Sequence, residues 1–243
     1  MEHCKFCTAG NTRALEYAAA ALWASGWEYD ASARTVLLPV PSFDPDGRIK
    51  GGGRIEDVLS EDPVIIGGNL NHNALEGIRC LDLLKDPQYL AENAAITAHC
   101  AIRYATENLP VTLFNCTVLV LGWGRIGKCL ADLLKRIGAD VTVYARKEAD
   151  RATLCALGYR VLDTLHSPEL LSHYRVVFNT VPAMLLPKGM LSSKQVKIDL
   201  ASAPGIEGTD VIWARGLPNK DAPESSGTLI ARTVDRLGKE FLL

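Results

Sequence analysis

Residues 119–129 read LVLGWGRIGKC, an apolar run that breaks at three closely spaced glycines and resumes with a helix-like pattern. A strand, then G-x-G-x-x-G, then a helix is the arrangement that cradles a dinucleotide. Gly122 permits the tight turn, Gly124 lets the backbone approach a pyrophosphate, and Gly127 lets the helix pack on the sheet. The backbone of Trp123, Arg125 and Ile126 completes the cradle, where the helix N-terminus supplies amides and the positive end of its dipole. The motif alone is weak because glycines are common, and its setting inside a strand-helix-strand unit gives it force.

Outward from the loop, strands and helices alternate over 117–121, 126–137, 141–144, 149–157, 176–179 and 196–200. That pattern indicates an α/β fold, a Rossmann-like doubly wound parallel sheet, over residues 91–224. Residues 1–90 read as a smaller α/β domain on the substrate side. Its strands fall at 5–8, 35–40 and 63–66, and its first helix is capped by Asn11 or Thr12 and runs through Ala24. Helical periodicity is read over 71–84 and 89–108, and the loop 44–53 (DPDGRIKGGG) is expected to be mobile. A last helix over 225–242 is expected to pack back on the first domain, and the cleft between the domains is the expected site.

The composition narrows the partners. In 243 residues, 26 basic and 28 acidic side chains leave a net charge of -2 and no broad basic face, so neither nucleic acid nor an acidic membrane is expected. Seven scattered cysteines read as free thiols in a reducing compartment, hence a cytoplasmic protein. Cys4 and Cys7 form a C-x-x-C beside His3, but no second ligand pair follows, so no metal is expected. The apolar run 17–27 is too short to span a bilayer and reads as a buried helix.

The second strand bears on cofactor choice. An acidic residue at its end would hold both ribose hydroxyls of NAD, but here Arg146 and Lys147 follow Tyr144 and Ala145. A guanidinium and an ammonium suit a 2′-phosphate, so NADP is favoured over NAD. The next strand ends in NTVP, which brings Thr180, Val181 and Pro182 to the nicotinamide side. The strand after it ends in DLASAPG, where Ala201 leaves room for cofactor and Asp199 reads as a loop cap in preference to a base. A D-2-hydroxyacid dehydrogenase would need a late histidine and an arginine just after that strand. The last histidine is His173 and Ala203 stands in the arginine's place, so the catalytic residues stay unknown.

LGWGRIGKCLADLLKRIGADVTVYAR, NTVP, IDLASAPGIEGTD and GLPNKDAPESSGTLIA, in that order, resemble the A subunit of dipicolinate synthase. LLPVPS at 37–42 and VIIGGNLN at 64–71 are looser matches to the family's first domain, which this chain carries in shortened form. The resemblance implies a two-domain NADP-using oxidoreductase subunit, forming homo-oligomers and working with a flavoprotein-like B subunit. Together they would make pyridine-2,6-dicarboxylate for bacterial spores by oxidising a dihydrodipicolinate-type dicarboxylate from a branch of the lysine pathway. Ser42, Asn69 and Ser202 are the candidates for holding that small dicarboxylate. GLPNKDAPESSG places Asn219, Asp221 and Glu224 where the family keeps small, apolar or basic residues. Two alternatives stay open: an NADP-binding regulatory or assembly subunit without turnover, and a dehydrogenase for another small acid.

Overall fold

The computed structural model describes residues 4–242, so His3 lies outside the described residues. It divides into two compact units, one taking in the chain up to Asn93 and again from Pro218, the other Ala94–Leu217. The first unit opens with β1 (Lys5–Thr8), α1 (Arg13–Ala24), β2 (Glu28–Tyr29), β3 (Thr35–Leu37), β4 (Val64–Gly67) and β5 (Arg79–Asp82). Its strands are all parallel, in the order β2-β1-β3-β4-β5. Thr12 starts α1, its hydroxyl accepting from the Leu15 N–H at 3.3 Å, and Ala14, Leu15, Ala18 and Leu22 form the buried stripe. On the sheet, Val36, Leu38, Ile49, Ile55, Ile65 and Leu75 make one core cluster.

The segment 71–84 corrects the helical reading. It holds a 3-10 turn at Asn73–Leu75, then β5, then a second 3-10 turn at Leu83–Lys85. Ile78, Leu81 and Leu84 mimic helical spacing, but pairing with β4 along Val64–Gly67 draws the chain into the sheet. Between β3 and β5 the described connections hold only loops and 3-10 turns, and the sheet has five strands. The loop 44–53 is pinned at its middle, contrary to expectation. Ile49 is buried, the Lys50 N–H donates to the Ser42 carbonyl, and the Lys50 carbonyl accepts from the Asn11 N–H.

Helix α2 (Pro87–Asn108) begins in the first unit, with the Asp86 carboxylate accepting from the Tyr89 N–H at 2.7 Å. Its continuation in the second unit buries Ala94, Ala98, Ala101 and Ala105, a stripe at spacings of four, three and four. Then follow β6 (Thr117–Leu121), α3 (Arg125–Arg136), β7 (Asp140–Tyr144), α4 (Glu148–Ala156), β8 (Arg160–Leu162), α5 (Pro168–Leu171), β9 (Val176–Asn179), β10 (Val196–Asp199) and β11 (Ile212–Trp213). These six strands are parallel in the order β11-β10-β9-β6-β7-β8, a Rossmann-like α/β sheet. The interior strands β6 and β9 read as unbroken apolar runs because both faces are covered. Chain order reverses between β6 and β9, and that switch point opens a crevice at the strands' carboxyl ends.

The first unit closes with α6 (Leu217–Asp221) and α7 (Pro223–Leu242). α7 buries Leu229, Ile230 and Val234, and the Trp27 indole donates to Asp235 at 3.0 Å. Asn219 is a clip: its amide donates to the Val40 carbonyl at 2.7 Å and its oxygen accepts from the Ser226 hydroxyl at 2.7 Å. Glu224 is exposed in the first turn of α7, where an acid suits the helix dipole. Asn219→Ala is expected to cost about 1–2 kcal/mol in urea unfolding, since it strands a carbonyl and a hydroxyl. An unchanged midpoint would mean that water replaces both bonds. Among the described residues no helix is long and apolar enough to cross a membrane, and no group of three or more His, Cys, Asp or Glu could hold a metal.

Candidate functional site

The glycine loop shows three different physical demands. Gly122 has φ +103°, and a Cβ on it would meet Val181 Cγ2 at 2.6 Å and Thr180 Oγ1 at 2.7 Å. A Cβ on Gly127 would lie 2.2 Å from the Gly122 carbonyl oxygen, so the loop and helix close on each other only because both residues are glycine. Gly124 differs. Its φ of -81° and ψ of -169° suit any residue, and its Cβ would meet nothing within 4 Å. The chain's own packing gives no reason for glycine there; a ligand approaching the backbone would.

Gly124 is also the residue that starts α3, and no side chain caps that end. The first-turn N–H groups of a 12-residue helix therefore point outward without a side-chain acceptor, together with the positive end of the dipole. These features fit the pyrophosphate of a dinucleotide. The pocket beside them has a volume of about 550 Å³, and Gly124, Arg125, Ile126, Thr180, Pro182, Ala201 and Ser202 stand on its wall. Among the described residues its charged lining is Arg125 and Arg215, so it is an anion's pocket. No Asp, Glu, His, Cys or Lys lines it, which leaves no general base among the described residues there.

The far walls are held by one buried hub. The Asp199 carboxylate accepts from the Asn179 side-chain amide at 2.8 Å and from the N–H groups of Ala201, Gly205 and Ile206 at 3.1, 2.7 and 3.2 Å. Asn179 in turn donates to the Val181 carbonyl and accepts from the Val181 N–H, each at 3.0 Å. Asp199 is thus a loop cap with its oxygens engaged. Thr180 donates its hydroxyl and its N–H to the Leu121 carbonyl, which ties the end of β9 to the end of β6. Lys197, buried in β10, bonds Asp210 at 2.5 Å and holds that carboxyl below the usual carboxylate range.

Not every expected residue joins this pocket. The Trp123 ring lies edge-on to Tyr159 with the Lys128 ammonium over it, so Trp123 brings backbone and not its indole to the loop. Val181 contributes its side chain to the floor under Gly122. Arg146 and Lys147 are exposed just past β7, whose Tyr144 carbonyl accepts from the Gly122 N–H at 2.9 Å. In the first unit, Ser42 is corrected: it is fully buried, its hydroxyl donating to the Pro39 carbonyl and accepting from the Gly68 N–H. It shapes the turn after β4 and cannot reach a ligand with its side chain. Asn69, next to Gly68, is exposed at φ +58° with its N–H on Asp82. Arg215 is the lining residue that the sequence reading missed; it follows a two-residue strand with no periodicity to announce it.

Residues 88–198 match the model for the NAD-binding domain of D-isomer-specific 2-hydroxyacid dehydrogenases. The A subunit of dipicolinate synthase from Bacillus subtilis is 28% identical over 235 residues, covering 85% of this chain and 78% of that protein. The chain is similar to the dipicolinate synthase A subunit over most of its length. The solved A-subunit structures from Bacillus subtilis and Bacillus halodurans superpose with TM-scores of 0.81 and 0.80 at 21% and 20% identity. They cover 100% and 96% of this chain, and 98% and 97% of their own, and so share its α/β fold. A transhydrogenase from Sinorhizobium meliloti shares the fold less closely, at a TM-score of 0.67 and 14% identity over 90% of this chain and 79% of its own. With the family-model match, the likeness to dipicolinate synthase makes this an oxidoreductase-type subunit whose second unit is a nicotinamide-dinucleotide domain.

Proposed function

We propose that the chain is an NADP-dependent oxidoreductase subunit that, like its dipicolinate synthase relatives, acts with a partner subunit to oxidise a dihydrodipicolinate-type cyclic dicarboxylate. The observation that carries this reading is the pocket at Gly124, open to a pyrophosphate and charged only by two arginines. Arg146, exposed past β7, supports NADP because a guanidinium grips phosphate oxygens in a fork. The seven cysteines, none of them in a disulfide, suit a reducing compartment such as the cytoplasm.

The nicotinamide, when bound, supplies the acceptor for a hydride. The chain's own contribution is binding and orientation: the α3 N-terminus takes the pyrophosphate, and Thr180, Pro182 and Ala201 shape the space beside it. Loss of a hydride, which the nicotinamide would accept, and of a proton, which solvent water would take, turns a dihydropyridine ring aromatic, so the reaction runs downhill without strong activation of the substrate. A pocket with no acid or base on its wall suits that demand. The same observation favours a second reading, a nucleotide-binding subunit without turnover, which would show no hydride transfer even with its partner subunit.

The test is a titration of the protein with NADPH and with NADH, with and without pyridine-2,6-dicarboxylate. NADPH is expected to bind more tightly, and more tightly still with the dicarboxylate present. Arg146→Ala is expected to weaken NADPH by roughly 10-fold or more and leave NADH unchanged. Equal weakening of both would remove the 2′-phosphate role from Arg146.

A further inference from the structure

We propose that Arg215 is the residue that anchors a carboxylate of the substrate, an assignment that rests on the dicarboxylate reading above and deepens it. Arg215 and Arg125 line the same pocket, but they come from different places in the sheet. Arg125 begins α3 after β6, at the pyrophosphate end. Arg215 follows β11, the edge strand on the far side of β9 and β10, whereas Arg146 follows β7 on the opposite side of the glycine loop. Adenosine phosphate and the reacting ring therefore have separate arginines.

The guanidinium is prepared for such a task. Its carbon stands 4.9 Å from the centre of the Trp213 ring, and the Trp213 indole is itself fixed by donating to the Ala201 carbonyl at 3.4 Å. β11 is held to β10 by the pairing of Trp213 with Asp199, the hub of the pocket walls. An arginine resting on an aromatic face keeps its N–H edge free for a planar anion. Among the described residues no carboxylate pairs with Arg215, and Ala201 and Ser202 leave space beside it. A charged, exposed fork with a fixed platform and no internal partner matches a ring-bound carboxylate in shape and charge.

The experiment measures binding of pyridine-2,6-dicarboxylate and of pyridine-2-carboxylate to the NADPH-saturated protein, wild type against Arg215→Ala and Arg215→Lys. Wild type is expected to prefer the dicarboxylate by about 10-fold or more, one charge-assisted fork being worth that much. Arg215→Ala, saturated with NADPH, is expected to bring the preference to within about twofold, with Arg215→Lys in between. A structural disturbance would weaken both ligands alike and leave their ratio standing, so an unchanged ratio in Arg215→Ala overturns the assignment. If wild type with NADPH bound takes up neither ligand, the dicarboxylate reading itself fails, and the role of Arg215 with it.

Discussion

Gly124→Asp is expected to abolish dinucleotide binding, by roughly 100-fold or about 2.7 kcal/mol, in a protein that melts no earlier than wild type. The two effects have opposite causes at one position. Gly124 sits at the start of α3 in extended backbone that aspartate adopts without strain, and its Cβ would meet no atom of the chain within 4 Å. Aspartate there can accept from the first-turn N–H groups, which is worth a few tenths of a kcal/mol over glycine. The same carboxylate fills the pyrophosphate's place and repels it. Gly127→Ala gives the contrast: its Cβ would press to 2.2 Å from the Gly122 carbonyl, and a loss of about 1–3 kcal/mol of stability is expected. Thermal melts and NADPH titrations of the two variants separate ligand from packing. A Gly124→Asp protein that binds NADPH like wild type would show that the loop holds no pyrophosphate.

That separation also marks where sequence reasoning reaches. The glycine loop is legible because strand, turn and helix are local, and each glycine's demand is set within a few residues. The helices α1, α3, α4 and α7 are legible because their apolar stripes repeat at helical spacing. The strands β2, β5, β8 and β11 are not. They are two to four residues long, lie at or near sheet edges, and owe their state to hydrogen bonds with a neighbour rather than to their own composition. Ser42 fails as a ligand residue for a similar reason. Nothing beside it in the sequence shows that its hydroxyl is consumed by Pro39 and Gly68. Arg215 stays hidden because its meaning comes from convergence, with its near neighbour Trp213, on Ala201 and Gly124, which lie farther back along the chain.

Asp199 carries the largest expected effect on stability. Its carboxylate accepts from one side-chain amide and three backbone N–H groups, and it holds the turns at 179–182 and 201–206 together. Asp199→Ala leaves those donors buried without an acceptor, at an expected cost of about 3–5 kcal/mol. For a chain of this size that is roughly a 10 °C fall in Tm or more. Asp199→Asn keeps the shape but turns an N–H₂ towards N–H groups that need an acceptor, so about 2 kcal/mol should still be lost. The asparagine variant also decides whether the residue has a chemical role. A catalytic base would let Asp199→Asn fold and melt like wild type and lose only turnover. A cap predicts that stability and NADPH affinity fall together, because the walls formed by Thr180, Pro182, Ala201 and Ser202 lose their common support. A normal melting temperature and normal NADPH affinity in Asp199→Asn, with turnover alone lost, would therefore overturn the cap assignment and give Asp199 a chemical role.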